Sequence, residues 1–192
     1  VKLWRAIRAS LLSLGLAALL GFCAVLWWPI RGDIKQVSQF DVSQVSPYLR
    51  EAVDSNRGAA INQATRILVR DWQPESRINW HIKQAVLAIR LRVFATDDHI
   101  AAYVAANRFY LSKARSMSEA AQLCFGKPAL DISPIEAATL DAMAFSPGDF
   151  APGVPEQRPL KRRNLILQAM ASNGVDFDLT SAVLQPFDGC WD

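Results

Sequence analysis

Gln84 is where chemistry first attaches to this sequence. It lies in the stretch from Arg77 to Arg92, RINWHIKQAVLAIRLR. Ile78, Ile82, Ala85, Val86 and Ile89 recur there at helical spacing and form one apolar stripe. Trp80, Leu87 and Leu91 make a second apolar arc on the opposite side, and only Asn79, Lys83 and Arg90 make a clear wet face. A helix that is apolar on two sides is mostly buried, so this one is expected at the centre of a small domain. Gln84 falls beside Ala88 and Leu91, off the wet face. A buried polar side chain needs partners. Gln84 is therefore either a satisfied core amide or a residue at a site.

Other reactive groups are sparse. His81 lies on the same helix, and His99 follows Asp97 and Asp98 in the first turn of another. A metal site needs more ligands converging than these two supply. Cys23, Cys124 and Cys190 lack metal-ligand spacing. No GxSxG or Walker-type loop is present. The run Lys161 to Arg163 reads as the solvated face of the last helix.

The elements that must position these groups are helices. Ser46-Pro47 opens a short helix to about Asp54, with Pro at the first helical position. Gly58 to Asp71 is a second, and Trp72 to Ser76 a loop. After the Arg77–Arg92 helix, Thr96 caps a helix to about Tyr110, with Asp97 and Asp98 in its favourable first turn. Ser116 to Glu119 is a capping box for a helix ending near Phe125 and Gly126. Ser133 to Glu136 is another, for a helix to about Phe145. Ser146 to Pro155 is a Pro/Gly loop, and a long helix from about Glu156 to Ser172 stops at Asn173-Gly174. Asp178 to Leu184 adds a last turn or two. No stretch alternates as a strand would, so the expected fold class is all-α.

The 192-residue chain is 51% hydrophobic, which suits one domain plus a membrane segment. Ala9 to Ile30 carries no charge, long enough to span a bilayer. Lys2, Arg5 and Arg8 precede it, and Trp4, Trp27 and Trp28 bracket it. That pattern puts the N-terminus in the cytoplasm and residues 31–192 outside. A cleaved signal peptide fits poorly, because Trp27, Trp28 and Pro29 stand where small residues are needed. Phe22 argues likewise against a lipoprotein site at Cys23. The expected organisation is a cytoplasmic stub and anchor at 1–30, a polar connector at 31–45 and a domain at 46–192. Without Lys2, Arg5 and Arg8, the 21 Lys and Arg fall to 18, equal to the 18 Asp and Glu. A neutral outer part gives no basic surface for nucleic acid. In an oxidising space Cys124 and Cys190 are either a disulfide or two buried or terminal thiols.

From Ile82 onward the residues resemble a family. The order is IKQAVLAIRLR, TDDHIAAYVAANRFY, SEAAQLCFGKPALDISPIEAATLDAMAFSP and PLKRRNLILQAMASNG. These are similar, in order and spacing, to the peptidoglycan glycosyltransferase (transglycosylase) domain of bifunctional penicillin-binding proteins and monofunctional transglycosylases. The likeness runs from about Ser46 to Gly174. It implies a mostly α-helical, lysozyme-like fold at the outer face of the bacterial cytoplasmic membrane. The implied substrate is lipid II, and the implied partners are glycan strands and penicillin-binding or other wall-synthesis proteins. The reaction needs a general base at the acceptor hydroxyl and donors or cations at the departing pyrophosphate. The family draws these from EDxxFxxHxG, GGSTITQQxxKN and RKxxE. No organic cofactor is implied; some members use a divalent cation at the pyrophosphate.

The chain departs from the family at nearly every chemical position. Ser46 to Val53 resembles the lead-in to the first motif, but the dipeptide Glu-Asp occurs nowhere in the sequence. The residues expected between that lead-in and the second motif are missing, and Asn56 to Gly58 bridges the gap. Glu51 and Asp54 lie nearby, each offset from the position of the catalytic Glu. In the second motif Ala59 and Ala60 replace hydroxyl residues, Gln63 matches a family glutamine, and Arg66 or Ile67 takes the lysine position. In the third, Trp80 and His81 take the Arg-Lys positions and Lys83 matches a common lysine. Gln84 takes the position of the second catalytic Glu, and Arg77 stands in for a neighbouring Arg, one position displaced. An amide cannot ionise, so it cannot hold a cation by charge. Ala105 replaces the Asn of YLN, whereas Tyr103, Phe125 to Lys127, Glu136 to Ala138 and Arg162 to Asn164 persist. The expectation is a kept scaffold without catalysis, whose binding remnants are Gln63, Arg66, Arg77, Lys83 and Gln84; a divergent active enzyme is the alternative.

Overall fold

The computed structural model describes residues 13–17, 20–21, 31–55, 57–71, 77–110, 114, 116–150 and 157–184. Among these there is no strand. The helices are α1 (Arg31–Ser38), α2 (Pro47–Asp54), α3 (Arg57–Leu68), α4 (Arg77–Phe94), α5 (Asp97–Asn107), α6 (Met117–Phe125), α7 (Pro134–Phe145), α8 (Gln157–Ser172) and α9 (Leu179–Leu184). Short 3-10 turns occupy Val42–Gln44 and Pro147–Phe150. The latter lies in the stretch expected as plain loop. Among the described residues no helix is long and apolar enough to cross a membrane. Most of the apolar run 9–30 lies outside them, as does the expected loop 72–76.

Local chemistry sets the helix ends. The Thr96 hydroxyl accepts from the His99 backbone N–H, and that of Ser116 from Glu119 N–H. At Ser133 the full reciprocal box forms, with the Glu136 carboxylate accepting from the Ser133 N–H at 2.7 Å. Gly126 closes α6 at φ 64°, a left-handed conformation that costs an L side chain free energy. Thr96 also keeps His99 occupied, its hydroxyl lying 2.6 Å from Nδ1.

The centre of the molecule is α5, with α7 beside α2. Ile100 to Ala105 of α5 and Ala137 to Met143 of α7 are all buried. Ala101, Ala102, Ala105, Ala137, Ala138 and Ala142 are small enough for helix axes to approach closely. α5 packs on α1, α2, α3 and α6; α7 packs on α2, α6 and α8.

Three expectations are corrected. First, α4 is not the central helix. α1 and α3 pack on it, burying Leu87 and Leu91 and half-burying Trp80. The Ile78–Ile89 stripe instead faces solvent, with Ile78 70% and Ile82 55% exposed; only Val86 of that stripe is buried. Periodicity identifies an apolar face but not whether anything covers it. Second, Arg90, expected on the wet face, is only 2% exposed. Third, Arg31 to Gln44 is more than a polar connector: α1 buries Ile34 and Val37 against the domain. Two apolar residues three apart on a short helix suffice for docking, though the stretch reads as polar overall.

Candidate functional site

A cavity of about 200 Å³ opens where α2, α3, α7 and α8 meet. Ala59 and Gln63, one turn apart on α3, both face it. Ser55, Asp141 and Arg162 add polar groups, and Val53, Phe145, Leu165, Ile166 and Ala169 close the walls. Ligand pockets usually hold some 300–1,000 Å³, so this one takes a phosphate or a single sugar ring rather than a disaccharide on a lipid.

The polar groups in the cavity are largely committed. Asp141 is buried and ion-paired with Arg108, which is itself buried just beyond α5. Burial pushes the Arg108 guanidinium toward the neutral form, but Tyr110 and Asp141 more than offset it and its pKa is raised. Burial also pushes the Tyr110 phenol up, against the Arg108 charge. The Arg108 guanidinium carbon lies 5.0 Å from the Tyr110 ring centroid, and the Tyr110 hydroxyl donates to the Ala105 carbonyl. Arg162 stacks over Phe145 at 3.7 Å, and its buried Nε has no hydrogen-bond partner.

Lys161 to Arg163 is therefore not one solvated face. Lys161 is exposed, Arg162 lines the cavity, and Arg163 is 1% exposed. Arg163 donates to the side chain of Asn164 and to the Ala182 carbonyl, tying α8 to α9. Its burial could have been suspected only from its spacing to Ile166, Leu167 and Met170. Asp141 carried a clearer signal, as the one charged residue in AATLDAMAF.

Glu51 and Asp54 open onto a different cleft, of about 360 Å³, between α2 and the start of α5. Glu51 accepts a hydrogen bond from the Asn173 side chain at 2.7 Å. Arg50 in the same cleft pairs with Asp98. Neither carboxylate shares the cavity lined by Gln63.

The five residues singled out by motif do not converge on that cavity. Gln63 lines it. Arg66 is exposed in the last turn of α3, and Arg77 is exposed at the start of α4. Lys83 and Gln84 are half-buried on α4. The Gln84 Nε2 is buried and has no protein hydrogen-bond partner. Among the described residues no three His, Cys, Asp or Glu side chains converge as metal ligands would. Cys124 is disulfide-bonded, which settles its alternative against a free thiol; Cys190 lies outside the described residues.

Residues 46–171 match the transglycosylase family, and the chain belongs to that family. It is similar to penicillin-binding protein 1A of Aquifex aeolicus (strain VF5), 37% identical over 102 residues that cover 52% of this chain and 14% of that protein. It is also similar to penicillin-binding protein 1A of Escherichia coli (strain K12), 32% identical over 102 residues, 53% of this chain and 12% of that protein. Against the Pseudomonas aeruginosa penicillin-binding protein 1A it is 34% identical over 95 residues, covering 48% of this chain and 11% of that protein. The chain thus spans only a small fraction of the length of the curated relatives it matches.

Proposed function

We propose that this is a membrane-anchored, peptidoglycan glycosyltransferase-like protein that has lost catalysis and acts in wall synthesis by binding. The observation that carries this reading is the absence of carboxylates from both catalytic positions. The Glu-Asp dipeptide occurs nowhere, and Gln84 holds the second position. The nearest substitutes, Glu51 and Asp54, face a cleft separate from Gln63. Asp141, which does face Gln63, is committed to Arg108.

Partner binding is favoured over lipid II binding. The cavity beside Gln63 is too small for a lipid-linked disaccharide, and Arg66, Arg77, Lys83 and Gln84 are not gathered around it. The partner is a wall-synthesis protein, such as a penicillin-binding protein, or a glycan strand. In this reading Gln63, Arg66, Arg77, Lys83 and Gln84 are remnants of the family's substrate-binding set. The fold is a shortened lysozyme-like domain. Residues 9–30 are the single span, with the domain on the outer side of the bacterial cytoplasmic membrane. The disulfide at Cys124 supports an oxidising compartment.

The test is polymerisation of labelled lipid II by the detergent-solubilised chain. No glycan above background is expected. Chains formed at a measurable rate would overturn the reading and make this a divergent active glycosyltransferase. Where none form, lipid II binding and co-purification with wall-synthesis proteins separate ligand binding from scaffolding.

A further inference from the structure

We infer that the cavity between α3 and α8 is a docking socket for an acidic side chain of a protein partner. Arg162 takes the carboxylate, and Phe145 and Leu165 take the apolar residue beside it. The inference rests on the proposed partner binding and names the chemistry that partner presents.

Arg162 carries the argument. Its guanidinium carbon lies 3.7 Å from the Phe145 ring centroid. Stacking occupies the face of the group and leaves its N–H edge, the part that forks onto a carboxylate. The Nε on that edge is buried and has no protein hydrogen-bond partner. A buried donor left this way costs free energy, and an incoming acceptor removes that cost. Arg162, Phe145 and Gln63 all line the cavity.

The surroundings do not neutralise that charge. α3 and α8 contain no Asp or Glu. On α7, Asp141 is paired with Arg108 and Glu136 with Lys127. Glu51 and Asp54 of α2 open onto the other cleft. Arg158 precedes Arg162 by one turn and Lys161 adjoins it; both are exposed and add to the positive field.

The rim selects a peptide over a free ion. Phe145 is 40% and Leu165 53% exposed, and both line the cavity. Inorganic phosphate would leave both in water, whereas a Glu or Asp side chain arrives with neighbours that cover them. At about 200 Å³ the cavity holds one such side chain and not a folded element.

The test uses the full chain in detergent with isotope-labelled arginine. It follows the Arg162 Nε–H resonance, assigned by its loss in Arg162→Lys. The probe is acetyl-Leu-Glu-Leu-amide, compared with acetyl-Leu-Gln-Leu-amide and inorganic phosphate. The expected result is a saturable shift with the Glu peptide, and binding at least about tenfold weaker for the Gln peptide and for phosphate. Leu165→Glu, at an exposed position, places a carboxylate at the rim. It should weaken the Glu peptide by about tenfold while the helical circular dichroism stays unchanged. Equal affinity for the two peptides, or no shift with either, would overturn the inference. Phosphate binding as tight as that of the Glu peptide would overturn it too, making the cavity an ion site. A Glu peptide insensitive to Leu165→Glu would do the same, by placing the peptide elsewhere. Lipid II polymerisation by the same preparation would instead count against the loss of catalysis, and would leave the peptide result standing.

Discussion

At Gln84 an amide stands where the family uses an acid, and its Nε2 is buried without a partner. On the proposed reading, restoring the carboxylate with Gln84→Glu should produce no lipid II polymerisation, because the first catalytic carboxylate would still be missing; the measurement is glycan chain formation on labelled lipid II. Glu136 shows the opposite case, an acid in full use. Burial alone would raise its pKa, but the Lys127 ammonium at 2.8 Å and the Ser133 donors hold it below its ordinary 4.5. A depressed carboxylate contributes stability that is complete above the unfolded value and lost as pH falls through the folded one. Denaturant midpoints followed from about pH 7 to about pH 3 should therefore fall less steeply in Glu136→Gln than in the parent. Both residues were legible as candidates from the sequence, Gln84 by motif and Glu136 by its offset from Ser133. Asp141 stood out only as a lone charge in an apolar run, and its pairing with Arg108 was not legible, because it joins segments distant in the chain.

Among the elements, the ends were easier to read than the faces. Thr96, Ser116 and Ser133 cap where their hydroxyls predict, since capping is a matter of a few neighbouring residues. Gly126 is at φ 64° with no heavy atom within 4 Å of an added Cβ, so Gly126→Ala tests backbone conformation alone. It should cost about 1–2 kcal/mol in urea unfolding. The faces depend on what packs against them. α4 has two apolar arcs; the domain covers the arc of Trp80, Leu87 and Leu91, and of the other arc only Val86. The union of α5 with α7 through Arg108 and Asp141 is a stronger constraint. Asp141→Ala leaves a buried guanidinium uncompensated and should lose about 3–5 kcal/mol of unfolding free energy. Replacing both, Arg108→Met with Asp141→Leu, should lose much less, as read by the same urea titration.

In the whole molecule the all-helical class follows from the sequence because caps and helical spacing mark the long segments and no stretch alternates. The arrangement does not, because an alanine-rich centre of α5 and α7 has no strong moment to announce it. The disulfide at Cys124 was an open alternative for the same reason: cysteine spacing alone does not fix pairing. Thermal unfolding with and without reductant should differ by about 2–4 kcal/mol in stability if that crosslink constrains the unfolded chain. The junction between α2 and α3 has a consequence of its own. α2 ends at Asp54 and α3 begins at Arg57, and on the proposed reading this is where the family's first catalytic segment is absent. Both helices pack on α5, which fixes their mutual position without help from the joint. Lengthening a joint whose ends are already held costs only slowly growing loop entropy. The position is thus a natural grafting point. On the proposed reading, a host domain with this chain's core could receive that segment from an active relative, and whether such a chimera polymerises lipid II would tell how much of catalysis resides in that one insertion.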